Sequence, residues 1–241
     1  MDPYDIKQLV DMYEDRYILN DVVNSDIKTE ISTIEKTMSD RGYNNWCDVG
    51  CGTGYHLRNV KGNFSRVGID RSSKMLEFAK KESKEDAKKF EMWHDARLVQ
   101  GDFLELPIVD KFDLVTNFWL GYTHQPTLND VMRFIYKMAE IVQLGGSLLI
   151  SVHNHGKLFD NIPWMMPEPM DGQFQFDGIA WSYKEPSNPK IRYRCISPHK
   201  EMIRLNLKKR FAGTKIIQYP VVVEGMEYVG RELMLFEDKI H

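Results

Sequence analysis

The chain has 241 residues, 42% of them hydrophobic and 28% charged, which predicts a single globular domain over residues 1–241. The 32 Lys and Arg residues against 35 Asp and Glu give a net charge of −3, which argues against binding to DNA or RNA by phosphate neutralisation. The sequence has no apolar run of roughly 18–20 residues, so we expect no membrane span, and its acidic start is unlike a signal peptide. Three cysteines cannot form a disulfide framework, which favours a cytoplasmic location.

The first 40 residues have the apolar spacing of two helices, which we expect to form an N-terminal helical cap over residues 1–40. A segment containing glycine and asparagine at 41–45 (RGYNN) then ends the helical pattern. The apolar residues are Ile6, Val10, Tyr13 and Tyr17 in the first helix, and Ile27, Ile31, Ile34 and Met38 in the second.

Residues 45–155 alternate between short apolar runs and helical stretches. The clearest helix takes Thr127 as its N-cap, with Asp130 three residues later, and is expected to end at Gly145 and Gly146. This alternation predicts an α/β fold, Rossmann-like and doubly wound, with a mostly parallel sheet and helices on both faces. The predicted strands are Asn45–Val49, 66–70, 96–101, Phe112–Asn117 and 147–153.

The pattern changes after His155. Residues 161–198 contain six of the ten prolines and a predicted hairpin of strands 178–183 and 190–196, so we expect a β-rich insertion over the mouth of the sheet. A helix near 199–210, ended by Gly213, and a closing strand pair at 215–223 and 231–237 complete the prediction. The lysine-rich segment 74–89 also contains acidic residues, which favours a solvated helical face over a binding tail.

A glycine-rich turn stands where a ligand would be expected. Three glycines alternate with side chains in the segment 48–54 (DVGCGTG), directly after the strand Asn45–Val49 and before a short helix predicted at 55–60. Glycine lets the backbone approach a ligand closely and adopt positive φ. Asp70 ends the next strand, 22 residues after Asp48, where a carboxylate can accept hydrogen bonds from both ribose hydroxyls.

The turn also indicates what kind of ligand it holds. Its pattern is GxGxG and it contains no Lys or Arg, which argues against a pyrophosphate or a nucleoside triphosphate. The Asp48 carboxylate would repel phosphate. A cofactor with a ribose and a cationic, zwitterionic tail fits better.

The segment 48–54 matches the first motif, acidic-x-Gly-x-Gly-x-Gly, of class I S-adenosylmethionine-dependent methyltransferases, and the chain resembles that family over residues 45–155. The resemblance implies a seven-stranded sheet closed by the C-terminal strand pair, with S-adenosylmethionine as cofactor and S-adenosylhomocysteine as product. The other matching segments, in chain order, are 67–70 (VGID) for strand 2, 100–103 (QGDF) for strand 3, 112–118 (FDLVTNF) for strand 4 and 144–150 (LGGSLLI) for the turn into strand 5.

The resemblance also implies roles for individual residues. Asp70 would bind the ribose and Asp102 the adenine amino group, although Asp102 could merely cap a turn. Aromatic faces of Tyr13, Tyr17 and Trp119 suit the positive sulfonium, with packing in the core as the alternative for the two tyrosines. The cofactor-binding residues implied are Tyr17, Asp48, Gly50, Cys51, Gly52, Gly54, Asp70, Arg71, Gly101, Asp102, Phe103, Asn117 and Trp119.

The segment after the fourth strand bears on the methyl acceptor. Residues 117–120 (NFWL) differ from the Asp/Asn-Pro-Pro-Tyr/Phe motif of nucleic-acid adenine methylases, and the double-glutamate segment of protein arginine methyltransferases is absent. The layout is similar to that of N-methyltransferases of amino sugars and glycine-type amines. We therefore expect transfer to nitrogen of a small metabolite, with oxygen transfer or a non-catalytic cofactor-binding protein as alternatives. Tyr13, Tyr122 and Trp164 are the candidate substrate contacts, and the alternative for Trp164 is a place on the buried face of the predicted hairpin.

Two histidines are candidates for the catalytic role. His124 would serve as a base or hydrogen-bond partner facing the methyl group, or would cap the helix at Thr127. His153 follows the fifth strand and points towards the expected cleft. His153 and His155 lack further ligands at diagnostic spacing, so we expect no metal. The sequence does not indicate an oligomeric state.

Overall fold

The computed structural model describes residues 6–11, 13–14, 21–87, 96–155, 174–177, 179–185, 188–219 and 231–241. Within these residues, a seven-stranded sheet has the order β3-β2-β1-β4-β5-β10-β9, in which β10 runs antiparallel to the other six strands. The predicted fold class is therefore confirmed. Its strands are β1 (Asn45–Val49), β2 (Ser65–Asp70), β3 (Ala96–Gln100), β4 (Phe112–Asn117), β5 (Val142–His153), β9 (Phe211–Gln218) and β10 (Arg231–Lys239).

Helices pack on both faces of this sheet, as the alternating pattern predicts. The long helix α2 ends at Arg41, next to Gly42, whose φ of 63° suits a residue without a side chain. No helix among the described residues is both long and apolar enough to cross a membrane. The helices are α1 (Lys7–Asp11), α2 (Asp21–Arg41), α3 (Tyr55–Asn59), α4 (Ser73–Ala87), α5 (Leu128–Ile141) and α6 (Lys200–Leu207).

Alternate residues of the central strands build two hydrophobic cores. In β4, Leu114 faces the core that contains Ile34 of α2, whereas Val115 faces the core that contains Ile135 of α5. All of these side chains are buried. The period of two along the strand thus lets a central strand bury both of its faces, which explains the continuous apolar runs in the sequence.

The helix α5 begins as predicted but ends earlier. The Thr127 hydroxyl accepts a hydrogen bond from the backbone N–H of Asp130, which is the expected N-cap. The helix ends at Ile141 and not at Gly145 and Gly146, because Val142 is extended and pairs with Phe112 of β4. The continuous ladder with β4 starts at Ser147, where the sequence places the strand.

The C-terminal elements also differ in their bounds from the prediction. The helix α6 begins after His199, whose Nδ1 accepts a hydrogen bond from the backbone N–H of Glu201, and it ends at Leu207. Gly213 lies inside β9 and does not end the helix, because buried Phe211 already pairs with Lys239 of β10.

The described part of the insertion forms a separate antiparallel sheet of three strands, β6 (Phe174–Asp177), β7 (Ala180–Glu185) and β8 (Asn188–Ile196). The hairpin of β7 and β8 is the one predicted, and β6 is an additional strand that the sequence pattern does not reveal. The end of β8 lies against a 3-10 turn, Gly121–His124, that follows β4. This contact attaches the insertion to the sheet at the edge where its parallel strands end.

Candidate active site

A cleft opens at the carboxyl ends of β1 and β4, where the strand order of the sheet reverses. Ligands of open α/β sheets bind at this topological switch point. The cleft encloses about 740 Å³ of empty space, a value that includes the solvent at its open mouth. Ten residues from the sequence prediction line it: Tyr13, Gly50, Gly52, Asp70, Arg71, Gly101, Asp102, Phe103, Trp119 and His124.

The glycine turn wraps over the end of β2. The backbone N–H groups of Gly50 and Cys51 both donate to the carbonyl of Ile69, at 2.7 and 3.1 Å. Gly50 and Gly52 have φ values of 73° and 53°, a left-handed conformation that side chains disfavour. The turn therefore presents bare backbone to the cleft.

Asp70 fixes this turn through its carboxylate. One oxygen accepts from the backbone N–H of Gly52 and the other from the backbone N–H of Ser72, each at 2.8 Å. A carboxylate offers about four lone-pair sites, so these bonds are compatible with two further bonds to ribose hydroxyls. Asp70 thus connects the glycine turn to the start of α4 and faces the cleft at the same time.

A short loop after β3 forms the next wall. The Asp102 carboxylate accepts from the backbone N–H of Leu104 at 2.9 Å, so it caps the turn while also lining the cleft. Lys137 of α5 donates to the carbonyls of Leu104 and Leu106, at 3.0 and 2.6 Å. Its ammonium lies 5.3 Å from the ring centroid of Phe103. Helix α5 therefore fixes the position of this loop through the hydrogen bonds of Lys137.

The chain after β4 adopts a strained conformation at the cleft. Trp119 and Leu120 have φ values of 55° and 59°, which cost about 1–3 kcal/mol each for residues with side chains. The Ser151 hydroxyl accepts from the N–H of Leu120 at 3.0 Å, and the Arg231 guanidinium lies 4.5 Å from the Trp119 ring centroid. These contacts hold Trp119 against the cleft, where strain is common at functional sites.

Asn117, the last residue of β4, holds the chain segment that follows this strand in place. It is fully buried, donates to the carbonyl of Val49 and accepts from the backbone N–H of Tyr122 at 3.1 Å. The amide thus joins the end of β1 to the 3-10 turn and fixes the spacing between the two walls of the cleft.

Replacing Gly121 by Ala is expected to lower the free energy of unfolding by about 1–3 kcal/mol. A Cβ at this position would lie 2.8 Å from the Asn117 amide nitrogen and would displace a group with two buried hydrogen bonds. Urea unfolding measures the change. Gly213→Ala is the matched control, because its Cβ has no neighbour within 3.7 Å. An equal loss in both variants would contradict a specific role for Asn117.

His124 lies at the end of the 3-10 turn and lines the cleft. Burial, together with the nearby charge of Arg71, lowers the pKa of His124 to about 4. The imidazole is therefore neutral at physiological pH. Its Nδ1 lies 3.6 Å from the Sγ of Cys195, a buried residue near the end of β8.

Asp48 lies beneath the glycine turn and not among the side chains that line the cleft. Its carboxylate accepts from the Thr116 hydroxyl at 2.7 Å, and that hydroxyl accepts from the Trp46 indole N–H at 2.8 Å. Burial raises the pKa of Asp48 to about 6, although His56 and Thr116 oppose the shift. Asp48 therefore contributes a buried carboxyl group beneath the turn and does not line the cleft itself.

The remaining predicted residues have various positions. Cys51 and Gly54 belong to the glycine turn, Asn117 holds the chain that follows β4, and all three are buried.

Tyr122 is fully buried in the hydrophobic core, and His153 is buried with its Nδ1 2.8 Å from the Ser197 hydroxyl. Neither residue lines the cleft. Burial lowers the pKa of His153 to about 3, so it is neutral. Tyr17 and Trp164 lie outside the described residues.

A buried polar cluster next to the cleft is not apparent from the sequence. The Glu30 carboxylate of α2 contacts His56 Nε2 at 2.7 Å and accepts from the Tyr219 hydroxyl. The His56 ring stacks on Phe118 at 4.6 Å between centroids, and Arg231 donates to the Asp26 carboxylate at 2.6 Å. Burial alone would lower the pKa of His56, but Glu30 outweighs it and raises that pKa. Partners so distant in sequence leave no local signal.

The cleft thus combines a glycine turn with a carboxylate at the end of β2, at the switch point where open α/β sheets bind their ligands. The model of the methyltransferase domain family matches residues 47–146. The chain has the fold of class I S-adenosylmethionine-dependent methyltransferases, as the sequence resemblance predicts.

Three comparisons illustrate the similarity. The chain is 33% identical over 112 residues to malonyl-[acyl-carrier protein] O-methyltransferase of Priestia megaterium, covering 45% of this chain and 36% of that protein. It is 27% identical over 134 residues to dTDP-3-amino-3,4,6-trideoxy-alpha-D-glucopyranose N,N-dimethyltransferase of Streptomyces venezuelae, covering 55% and 48%. The chain thus spans less than half the length of either relative. An S-adenosylmethionine-dependent methyltransferase from Clostridium acetobutylicum superposes with a TM-score of 0.69 at 16% identity, covering 95% of this chain and 97% of that one.

Proposed function

We propose that this protein transfers the methyl group of S-adenosylmethionine to a nitrogen atom of a small metabolite. The observation that carries the proposal is the arrangement of the cleft. The carboxylate of Asp70 and the glycine turn stand on one side, and the neutral His124 and the Trp119 ring stand on the other.

The adenosine half of the cofactor fits the side formed by β1, β2 and β3. Asp70 would accept hydrogen bonds from the ribose hydroxyls, and Gly50 and Gly52 would allow the backbone to approach the cofactor closely. Asp102 would accept from the adenine amino group, with Phe103 beside the ring. Phe103 itself lies 4.7 Å from Phe134 between ring centroids, which stiffens that wall.

The sulfonium half fits the side formed by the N-terminal helices and the chain after β4. Tyr13 and Trp119 line this part of the cleft and offer aromatic faces to the positive sulfur. Asp48 would add a favourable charge from beneath the turn. Tyr122 and Trp164 remain candidate substrate residues from the sequence. The buried position of Tyr122 makes a supporting role the simpler proposal for it.

The low pKa of His124 favours nitrogen over oxygen as the methyl acceptor. A hydroxyl must lose a proton as it attacks, and a base works best when its pKa is near the operating pH. His124, with a pKa of about 4, is a poor base for that task. A neutral amine needs only to be positioned, and the cationic sulfonium lowers the pKa of a bound amine and so favours its neutral form. We therefore assign His124 the role of a hydrogen-bond acceptor for the amine N–H.

Bound S-adenosylmethionine would supply the methyl group, and the lone pair of the acceptor nitrogen would form the bond to the methyl carbon as the carbon–sulfur bond breaks. The bonding electrons would stay on sulfur in S-adenosylhomocysteine, and the methylated ammonium would lose its proton to water. The protein supplies proximity and orientation.

The relative from Streptomyces venezuelae is named as an N,N-dimethyltransferase, and the relative from Priestia megaterium is named as an O-methyltransferase. Oxygen transfer is therefore the second candidate. An acceptor screen with cofactor carrying a ¹³C-labelled methyl group separates the two, because N-methyl and O-methyl products have distinct NMR shifts.

We expect labelled methyl groups on amines and amino sugars, and none on hydroxyl compounds of the same skeleton. Labelled methyl groups on the hydroxyl compounds alone would contradict nitrogen transfer. Cofactor binding without S-adenosylhomocysteine formation across the whole panel would instead indicate a cofactor-binding protein without turnover.

A further inference from the structure

Two consecutive aromatic residues that line the cleft, Phe118 and Trp119, each pack against a polar side chain from another part of the fold. The guanidinium of Arg231, at the start of β10, lies over the Trp119 ring at 4.5 Å from its centroid. The imidazole of His56, in α3, stacks on the Phe118 ring with 4.6 Å between centroids. Neither Arg231 nor His56 lines the cleft, so each of them packs behind the wall that it supports.

One face of α2 holds both of these supporting side chains. Asp26 and Glu30 are four residues apart and therefore lie on the same face of the helix. The Asp26 carboxylate accepts from Arg231 at 2.6 Å, and the Glu30 carboxylate contacts Nε2 of His56 at 2.7 Å. Tyr219 connects the two pairs, because its hydroxyl donates to Glu30 and its ring lies 5.7 Å from the Arg231 guanidinium. All five residues are buried, and a buried charge that loses its partner is costly, so the network permits little rearrangement.

The conformation of Trp119 depends on such contacts. Its φ of 55° lies in the left-handed region, which persists for a residue with a side chain only where the surroundings enforce it. A guanidinium is planar, so it stacks flat on an aromatic ring and restricts the rotation of that ring. Because the Asp26 carboxylate balances the charge of Arg231, the stacked group adds little net positive charge to this side of the cleft.

We propose that Arg231 and Asp26 are positioning residues that hold the Trp119 ring in the orientation with which the cleft prefers S-adenosylmethionine to S-adenosylhomocysteine. An aromatic face attracts the positive sulfonium of the first ligand but not the neutral thioether of the second. A ring that turns away therefore loses attraction for the methyl donor alone, and the product competes better. The preference between the ligands rests on the proposed function, whereas the positioning of the ring rests on the geometry.

The orientation of the ring can be measured without a ligand. ¹⁹F NMR of the full chain labelled with 5-fluorotryptophan reports on each indole, and Trp119→Phe identifies the signal. We expect Arg231→Lys, which keeps the charge but loses the flat stacking group, to shift or broaden this signal, and Asp26→Asn to do the same from the other partner. Arg66→Lys is the matched control and should leave the signal in place, because Arg66 is also buried and its guanidinium lies 4.4 Å from the Phe64 ring, outside the cleft.

Calorimetric titrations test the effect on the two ligands. In Arg231→Lys we expect the affinity for S-adenosylmethionine to fall roughly five-fold more than the affinity for S-adenosylhomocysteine. In Trp119→Leu the same substitution should cause no further selective loss, because its effect passes through the ring. A role of Arg231 in stability alone would weaken both ligands equally.

The two measurements can fail independently. An unaltered Trp119 signal in both Arg231→Lys and Asp26→Asn would overturn the positioning. Equal losses for the two ligands, or a selective loss by Arg231→Lys that persists in Trp119→Leu, would overturn the role in discrimination. If the wild-type protein binds neither ligand, the proposed function is wrong and the discrimination with it, and the fluorine signal still decides whether the ion pair positions the ring.

Discussion

Replacing Asp70 by Asn is expected to weaken the binding of S-adenosylmethionine and of S-adenosylhomocysteine by the same factor. Asparagine keeps the shape but turns one acceptor oxygen into a donor. That donor must face the backbone N–H of Gly52 or Ser72, or a ribose hydroxyl that needs an acceptor. A buried group left unsatisfied costs about 1–3 kcal/mol, which corresponds to a roughly 5- to 150-fold loss of affinity.

The comparison of the two ligands tests the physical reason for the loss. Both carry the ribose, but only S-adenosylmethionine carries the sulfonium charge. A role of Asp70 in hydrogen bonding predicts equal factors in calorimetric titrations, whereas a role through its charge alone predicts a larger loss for the cationic ligand. Asp110→Asn is the matched control, because Asp110 is exposed, pairs with Arg97 and lies outside the cleft. Unchanged affinity in Asp70→Asn would remove Asp70 from the ribose site.

The side of the cleft proposed for the adenosine can be predicted from local patterns in the sequence. The strands β1 and β4 have their predicted bounds because both bury two faces and therefore read as short apolar runs. The glycine pattern predicts positive φ in the turn, and the sequence places Asp70 at the end of β2. Each of these features depends on residues close together in the chain.

The other side of the cleft depends on contacts between distant residues. His124 and Cys195 are 71 positions apart, and Arg231 reaches Trp119 from the far end of the sequence. The polarity of a tyrosine likewise did not reveal that Tyr122 belongs to the core. The early end of α5 has the same origin, because Val142 gains a strand partner in Phe112 that helical spacing cannot show. Tertiary pairing decides such cases, and a single sequence does not contain it.

Replacing His124 by Ala is expected to lower kcat/KM for the amine roughly 30-fold, mainly through KM, with cofactor affinity nearly unchanged. The reason is that a hydrogen-bond acceptor for the amine N–H is lost, at a cost of about 2 kcal/mol. A residue that acted as the essential base would instead lower kcat by roughly 10²-fold or more. Steady-state kinetics at saturating cofactor separates the two outcomes.

The pH profile gives an independent test of the same role. An ordinary histidine base, with a pKa near 6.5, would make the rate fall as the pH drops through that value. Burial and Arg71 lower the pKa of His124 to about 4, so its neutral form persists well below that pH. We therefore expect an alkylamine acceptor to follow its own pKa, and a weakly basic arylamine to show no His124-dependent fall in rate between about pH 5 and 8. A fall near pH 6.5 with the arylamine that disappears in His124→Ala would show that His124 titrates as a base, and would contradict the positioning role.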